Sequence, residues 1–178
     1  MAVDNEEDLL QRFAAMQDMR VVSKREFDIA PSAVIPASRL IAYASREAGI
    51  ADLDIERLIR EQPRARAIYF DALRTSASSF SSMAVAAGTG GVRNRLVGPH
   101  RVELVDEADM TYLVVYLGES TDPVEWIEVR TREGGGGRIR LGRAIRNVVQ
   151  LPLDHRRDDM RAIDEGIRQP DSEIYLLP

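Results

Sequence analysis

The chain has 178 residues and a formal net charge of −5, which suits one domain or two small modules and argues against bulk nucleic-acid binding. It contains no cysteine, so disulfides and thiolate metal sites are excluded. Apolar residues make up 44%, enough for a core but too dispersed for membrane spans, and residues 1–7 lack the basic start and apolar centre of a secretion signal. A cytoplasmic protein is the expectation.

The first elements read as helices. Asp4 and Glu7 form a capping-box pattern ahead of Leu9, Leu10, Phe13 and Met16, which fall on one helical face. Residues 20–36 then read as extended, with Pro31 and Pro36 limiting any helix. From Ala37 the stripe Leu40, Ile41, Tyr43, Ala44 predicts a second helix ending at Gly49. A short third helix follows Asp52 or Asp54 with Ile55, Leu58 and Ile59 inward, and Pro63 opens a fourth helix carrying Ala65, Ile68, Tyr69, Ala72 and Leu73.

Residues 40–74 contain Leu-Ile-Ala-Tyr-Ala-Ser-Arg-Glu-Ala-Gly-Ile and then Leu-Ile-Arg-Glu-Gln-Pro-Arg-Ala-Arg-Ala. This spacing resembles the helical N-terminal domain of anti-sigma factors. In that family the metal ligands would fall on Leu58, Gln62 and Ala65, so the resemblance implies a zinc-free relative. It also implies a module that grips a sigma factor through the exposed sides of helices 37–75. Leu40, Tyr43, Leu58, Ile68, Tyr69 and Leu73 would position those sides.

Residues 75–92 carry no charge and are filled with Ser, Thr, Gly and Ala, which predicts a flexible linker over 76–98 rather than a membrane span. Beyond it, strand-length runs rich in β-branched and aromatic residues recur at 100–105, 111–117, 126–130, 138–141, 148–153 and 173–177. Residues 155–168 read as a helix before the last of them. The expected fold class is therefore α+β: a helical module over 1–75, then an antiparallel sandwich or meander of about six strands over 99–178.

No motif supplies chemistry. Asp106-Glu107-Ala108-Asp109 matches a helicase-type metal motif, but no Gly-Lys-Ser/Thr loop accompanies it. Glycines at 88–91 and 134–137 lack the strand-before, helix-after order of a phosphate cradle and read as a linker and a hairpin tip. Asp154, His155 and Asp158 could form a base with orienting carboxylates, although a cap is the ordinary role of such a cluster. No cofactor or metal is expected.

The remaining feature is a group of arginines, Arg130, Arg132, Arg138, Arg140, Arg143 and Arg146, with few acids between them, in a chain whose only lysine is Lys24. Planar guanidinium groups in a cluster suit an acidic protein surface. With Tyr43 and Tyr69 on the helices, these residues are the expected partner contacts. They fit a non-enzymatic regulatory or adaptor protein, anti-sigma-like on the resemblance. The alternatives are a structural subunit or assembly factor, and an enzyme using Asp154, His155 and Asp158.

Overall fold

A computed structural model describes residues 35–45, 51–81, 93–120 and 123–178. The amphipathic segment expected at 4–19 and residues 82–92 of the expected linker lie outside the described residues. Pro36–Pro178 form one compact unit.

Three helices come first: α1 (Ala37–Ala44), α2 (Leu53–Glu61) and α3 (Pro63–Ser76). Asp52 caps α2, its carboxylate accepting from the N–H groups of Asp54 and Ile55, each at 3.2 Å. Pro63 sits in the first turn of α3, where its missing N–H costs nothing. Leu40, Ile55, Ile59, Ala65, Tyr69, Phe70 and Leu73 are buried, giving these helices an apolar centre of their own.

Eight strands follow, not six. They are β1 (Ser79–Ser81), β2 (Asn94–Val97), β3 (His100–Glu107), β4 (Met110–Tyr116), β5 (Trp126–Arg130), β6 (Gly136–Arg140), β7 (Val148–Leu153) and β8 (Glu173–Leu177), with helix α4 (Asp158–Arg168) before the last. Two antiparallel four-stranded sheets result, sheet A in the order β1-β8-β5-β6 and sheet B in the order β2-β3-β4-β7. The two extra strands lie inside the expected linker: Ser79 to Ser81 pair with Leu176 to Ile174, and Asn94 to Val97 pair with Glu103 to His100. Short segments can serve as edge strands because backbone hydrogen bonds to one neighbour hold them, and in β2 the buried Arg95 and Val97 side chains add to that hold.

The alternation along each strand places the core. Ile127, Val129, Ile139, Ile174 and Leu176 of sheet A, Val102, Leu104, Leu113, Val115, Val149 and Leu153 of sheet B, and Ile163 and Ile167 of α4 form one buried cluster. Sheet B and α4 thus share the inner face of sheet A, each buried aliphatic side chain contributing about 1.5–3 kcal/mol. The glycines at 134–137 form the tip of the β5–β6 hairpin, as expected, and that tip is packed over rather than open to water. A Cβ on Gly134 (φ +88°) would lie 2.7 Å from the Ile59 carbonyl oxygen of α2, and one on Gly137 would lie 2.4 Å from the Asp159 carbonyl of α4. Absent side chains let two helices approach this hairpin.

Two buried basic side chains tie loops to this frame. Arg95 of β2 donates to the Gln169 and Ser172 carbonyl oxygens and to Ser172 Oγ, at 3.0, 2.7 and 3.1 Å, while burial lowers its pKa and Asp171 partly offsets that. His100 Nδ1 accepts from the Gly118 N–H at 3.1 Å, and its ring is 1% exposed.

Replacing Gly137 by Ala is expected to cost about 1–3 kcal/mol in denaturant unfolding, through overpacking against α4. Gly142→Ala, where a Cβ meets nothing within 4 Å, is the matched control and is expected to stay within about 0.5 kcal/mol of wild type. Burial pushes the His100 pKa down, so the unfolded chain takes up that proton first. Stability is therefore expected to fall as pH drops below about 6.5, the free imidazole value, with no His100 contribution above it. His100→Gln keeps an acceptor for Gly118 and is expected to flatten that part of the pH profile, read by thermal unfolding from pH 7 downward.

Candidate functional site: a buried ion layer and an exposed basic tip

The second face of sheet A carries Trp126, Glu128 and Arg130 of β5, Arg138 and Arg140 of β6, and Glu173, Tyr175 and Leu177 of β8, in register with one another. Helices α1–α3 cover this face. Glu128, 0% exposed, stands between two guanidinium groups: Arg130 Nε donates to its Oε1 at 2.6 Å, and Arg138 Nε lies 2.7 Å from its Oε2 as an ion contact rather than an aligned hydrogen bond. The Tyr69 hydroxyl of α3 also donates to Glu128 Oε1, at 2.6 Å.

Arg130 is 1% exposed and all five of its N–H groups have acceptors. Besides Glu128, Nη1 reaches Glu56 Oε2 at 2.7 Å and the Gly134 carbonyl at 3.4 Å, and Nη2 reaches Glu56 Oε1 at 2.8 Å and the Tyr69 oxygen at 3.2 Å. Burial opposes its charge, but Tyr69, Glu128 and Glu56 outweigh burial and hold its pKa well above the usual range. The guanidinium also lies 5.0 Å from the Tyr69 ring centre. Tyr43 donates to Glu56 at 2.7 Å, and Arg138 Nη2 donates to the Ala44 carbonyl at 2.7 Å. At the far end of the layer Arg74 pairs with Glu173 at 2.6 Å, and Glu173 accepts from the Tyr175 hydroxyl, whose pKa is raised chiefly by burial.

Four of the expected partner contacts are therefore internal. Arg130, Arg138, Tyr43 and Tyr69 bind the helices to the sheet with side chains that are almost wholly buried. Arg132, Arg140, Arg143 and Arg146 are exposed. Arg140 pairs with Glu125 at 3.0 Å and lies 5.5 Å from the ring centre of Trp126, which is half-buried and lines a small cavity together with Ala44, Ser45 and Ser76. Arg143 and Arg146 belong to a tight hairpin between β6 and β7. There the N–H of Ile145 donates to the Val148 carbonyl at 2.8 Å, and the reverse bond measures 3.0 Å. Arg146 (φ 51°) and Asn147 (φ 61°) supply the two left-handed positions of a mirror-image turn. The turn presents Ile145, 75% exposed, between two arginines.

The alternative catalytic set does not assemble. Asp154 accepts from the Arg156 guanidinium at 2.9 Å and from the Arg156 backbone N–H, which together bring its pKa down to about 2. Asp158 pairs with Arg161, and His155 lies 3.5 Å from Asp164. A cleft of about 560 Å³ opens between α2, β6 and the start of α4, with Glu56, Arg60, Arg130, Arg138, Arg157 and Asp159 in its wall. Arg130 is already saturated, and Arg157 forms a two-bond pair with Asp159 at 3.1 and 2.6 Å. Among the described residues no group of three or more potential ligands could hold a metal, and no helix is long and apolar enough to cross a membrane.

No family model, curated protein or solved structure matches the chain. The fold defines it as an α+β protein in which three helices, sheet A, and sheet B with α4 form successive layers.

Glu128→Gln keeps the shape of the layer and leaves two buried guanidinium groups with one carboxylate fewer. It is expected to cost about 3–5 kcal/mol in denaturant unfolding. The exposed pair gives the contrast: Glu125→Gln, which loosens Arg140, is expected to cost less than about 1 kcal/mol.

Proposed function

We propose that the chain is a non-enzymatic regulatory or adaptor protein that acts by binding another protein. The observation that carries this reading is the division of its arginines. Arg130 and Arg138 are paired with Glu56 and Glu128 inside the fold, whereas Arg132, Arg143 and Arg146 stand exposed without an ion pair among the described residues, the last two flanking an uncovered Ile145. An apolar side chain between two planar cations suits a protein surface with an apolar seat and acidic walls. The pairing of Asp154 with Arg156, of Asp158 with Arg161 and of His155 with Asp164 favours this over an enzyme using Asp154, His155 and Asp158.

An anti-sigma-like activity is the narrower form of the proposal. The inner sides of α1–α3, including Leu40, Tyr43, Tyr69 and Leu73, are occupied by packing within the protein. A sigma factor would therefore meet the outer sides, where Ile41 is 50% and Leu53 72% exposed.

The test is quantitative affinity capture from the native host with three forms of the full chain. They are wild type, Arg143→Glu with Arg146→Glu, and Ile41→Asp with Leu53→Asp. A partner lost with the arginine pair is expected for an adaptor using the basic tip. A sigma factor lost only with the helix pair supports the anti-sigma form. Capture of the same proteins by all three forms would refute both surfaces.

A further inference from the structure

Sheet B has unlike ends. At one end the β3–β4 turn carries Glu107 and Asp109, both exposed and without an ion pair among the described residues, next to Met110, which is 44% exposed. Asp106, in the same turn, is already engaged by Arg168 at 2.9 Å and Arg93 at 3.3 Å. The opposite end is the Arg143–Ile145–Arg146 hairpin. The pairing of β4 with β7 fixes this arrangement, because Thr111 faces Leu153 near the acidic turn and Tyr116 faces Val148 beside the basic one. Glu119, just beyond the Leu117-to-Asn147 backbone bond, offsets part of the basic charge. The two ends are about 20 Å apart at roughly 3.3 Å per strand residue.

Each end thus offers an uncovered apolar side chain with two charges that form no ion pair among the described residues, and the charges are of opposite sign. Two basic tips repel and so do two acidic ones, so a two-fold contact through either tip is disfavoured. A basic tip on an acidic one is complementary in both charge and apolar content. Such a contact leaves one free tip of each kind, and repetition gives a chain or a ring.

We propose that this protein self-associates head to tail, the Arg143–Ile145–Arg146 tip of one copy seating on the Glu107–Asp109–Met110 turn of the next. The proposal rests on the reading of the basic tip as a protein-binding surface and names a second copy as its partner. The tips are small, well below the roughly 1,200 Å² of a stable complex, so the association is weak, concentration-dependent and salt-sensitive.

Sedimentation velocity of the full chain over a concentration series, at low and high salt, tests it. The weight-average mass is expected to rise with concentration and to fall back when salt is added. Arg143→Glu with Arg146→Glu, and separately Glu107→Arg with Asp109→Arg, are each expected to weaken self-association at least about tenfold. An equimolar mixture of these two variants brings complementary tips together again and is expected to associate. Ile145→Asp, which leaves both arginines in place, provides a third variant should a double reversal misfold, and is also expected to weaken assembly. A protein that stays monomeric throughout, or one whose association ignores both reversals, overturns self-assembly. In either case the capture experiment still decides whether the basic tip binds a different protein.

Discussion

Glu128 holds the molecule together in a way no apolar residue on the same face does. Its carboxylate is out of water, flanked by Arg130 and Arg138 from its own sheet and reached by Tyr69 from a helix. A lone carboxylate in that place would be intolerable, and so would either guanidinium alone. The helices and sheet A therefore cannot be described as two modules joined by a tether. Glu56, Tyr43 and Tyr69 come from the helices, and Arg130 cannot satisfy its donors without them.

This layer also explains why the two apolar centres stay separate. The cluster between sheet A, sheet B and α4 is made of aliphatic side chains, and the cluster within α1–α3 has its own. Between them lies a stratum in which geometry matters more than area. Apolar surfaces slide at little cost, whereas a guanidinium with five directed bonds accepts one position. Buried charge of this kind adds little net stability over a well-packed apolar substitute, but it fixes how α1–α3 are set on the sheet.

Much of the architecture was legible from periodicity. The runs at 126–130, 148–153 and 173–177 became strands with those limits, and Pro63 opened its helix where expected. The edge strands β1 and β2 were not legible, since Ser79–Ser81 and Asn94–Val97 are only three and four residues long, too short for a period to show in the sequence. The arginine face was half legible. Alternation with Ile127, Val129 and Ile139 puts Arg130 and Arg138 on one side of the sheet, but alternation says nothing about what covers that side. The available signal was Glu128, an acid on the same face between the two arginines. Glu56, beside the buried Ile55 and three residues before the buried Ile59, was the corresponding hint on the helix.

Trp126 extends this picture. It is the chain's single tryptophan, and it stands at the border of the ion layer, sharing a small cavity with Ala44, Ser45 and Ser76 and lying near the Arg140 guanidinium. Indole emission responds to neighbouring charge and to water. The molecule thereby carries a built-in optical gauge of its helix–sheet seam, readable without any label.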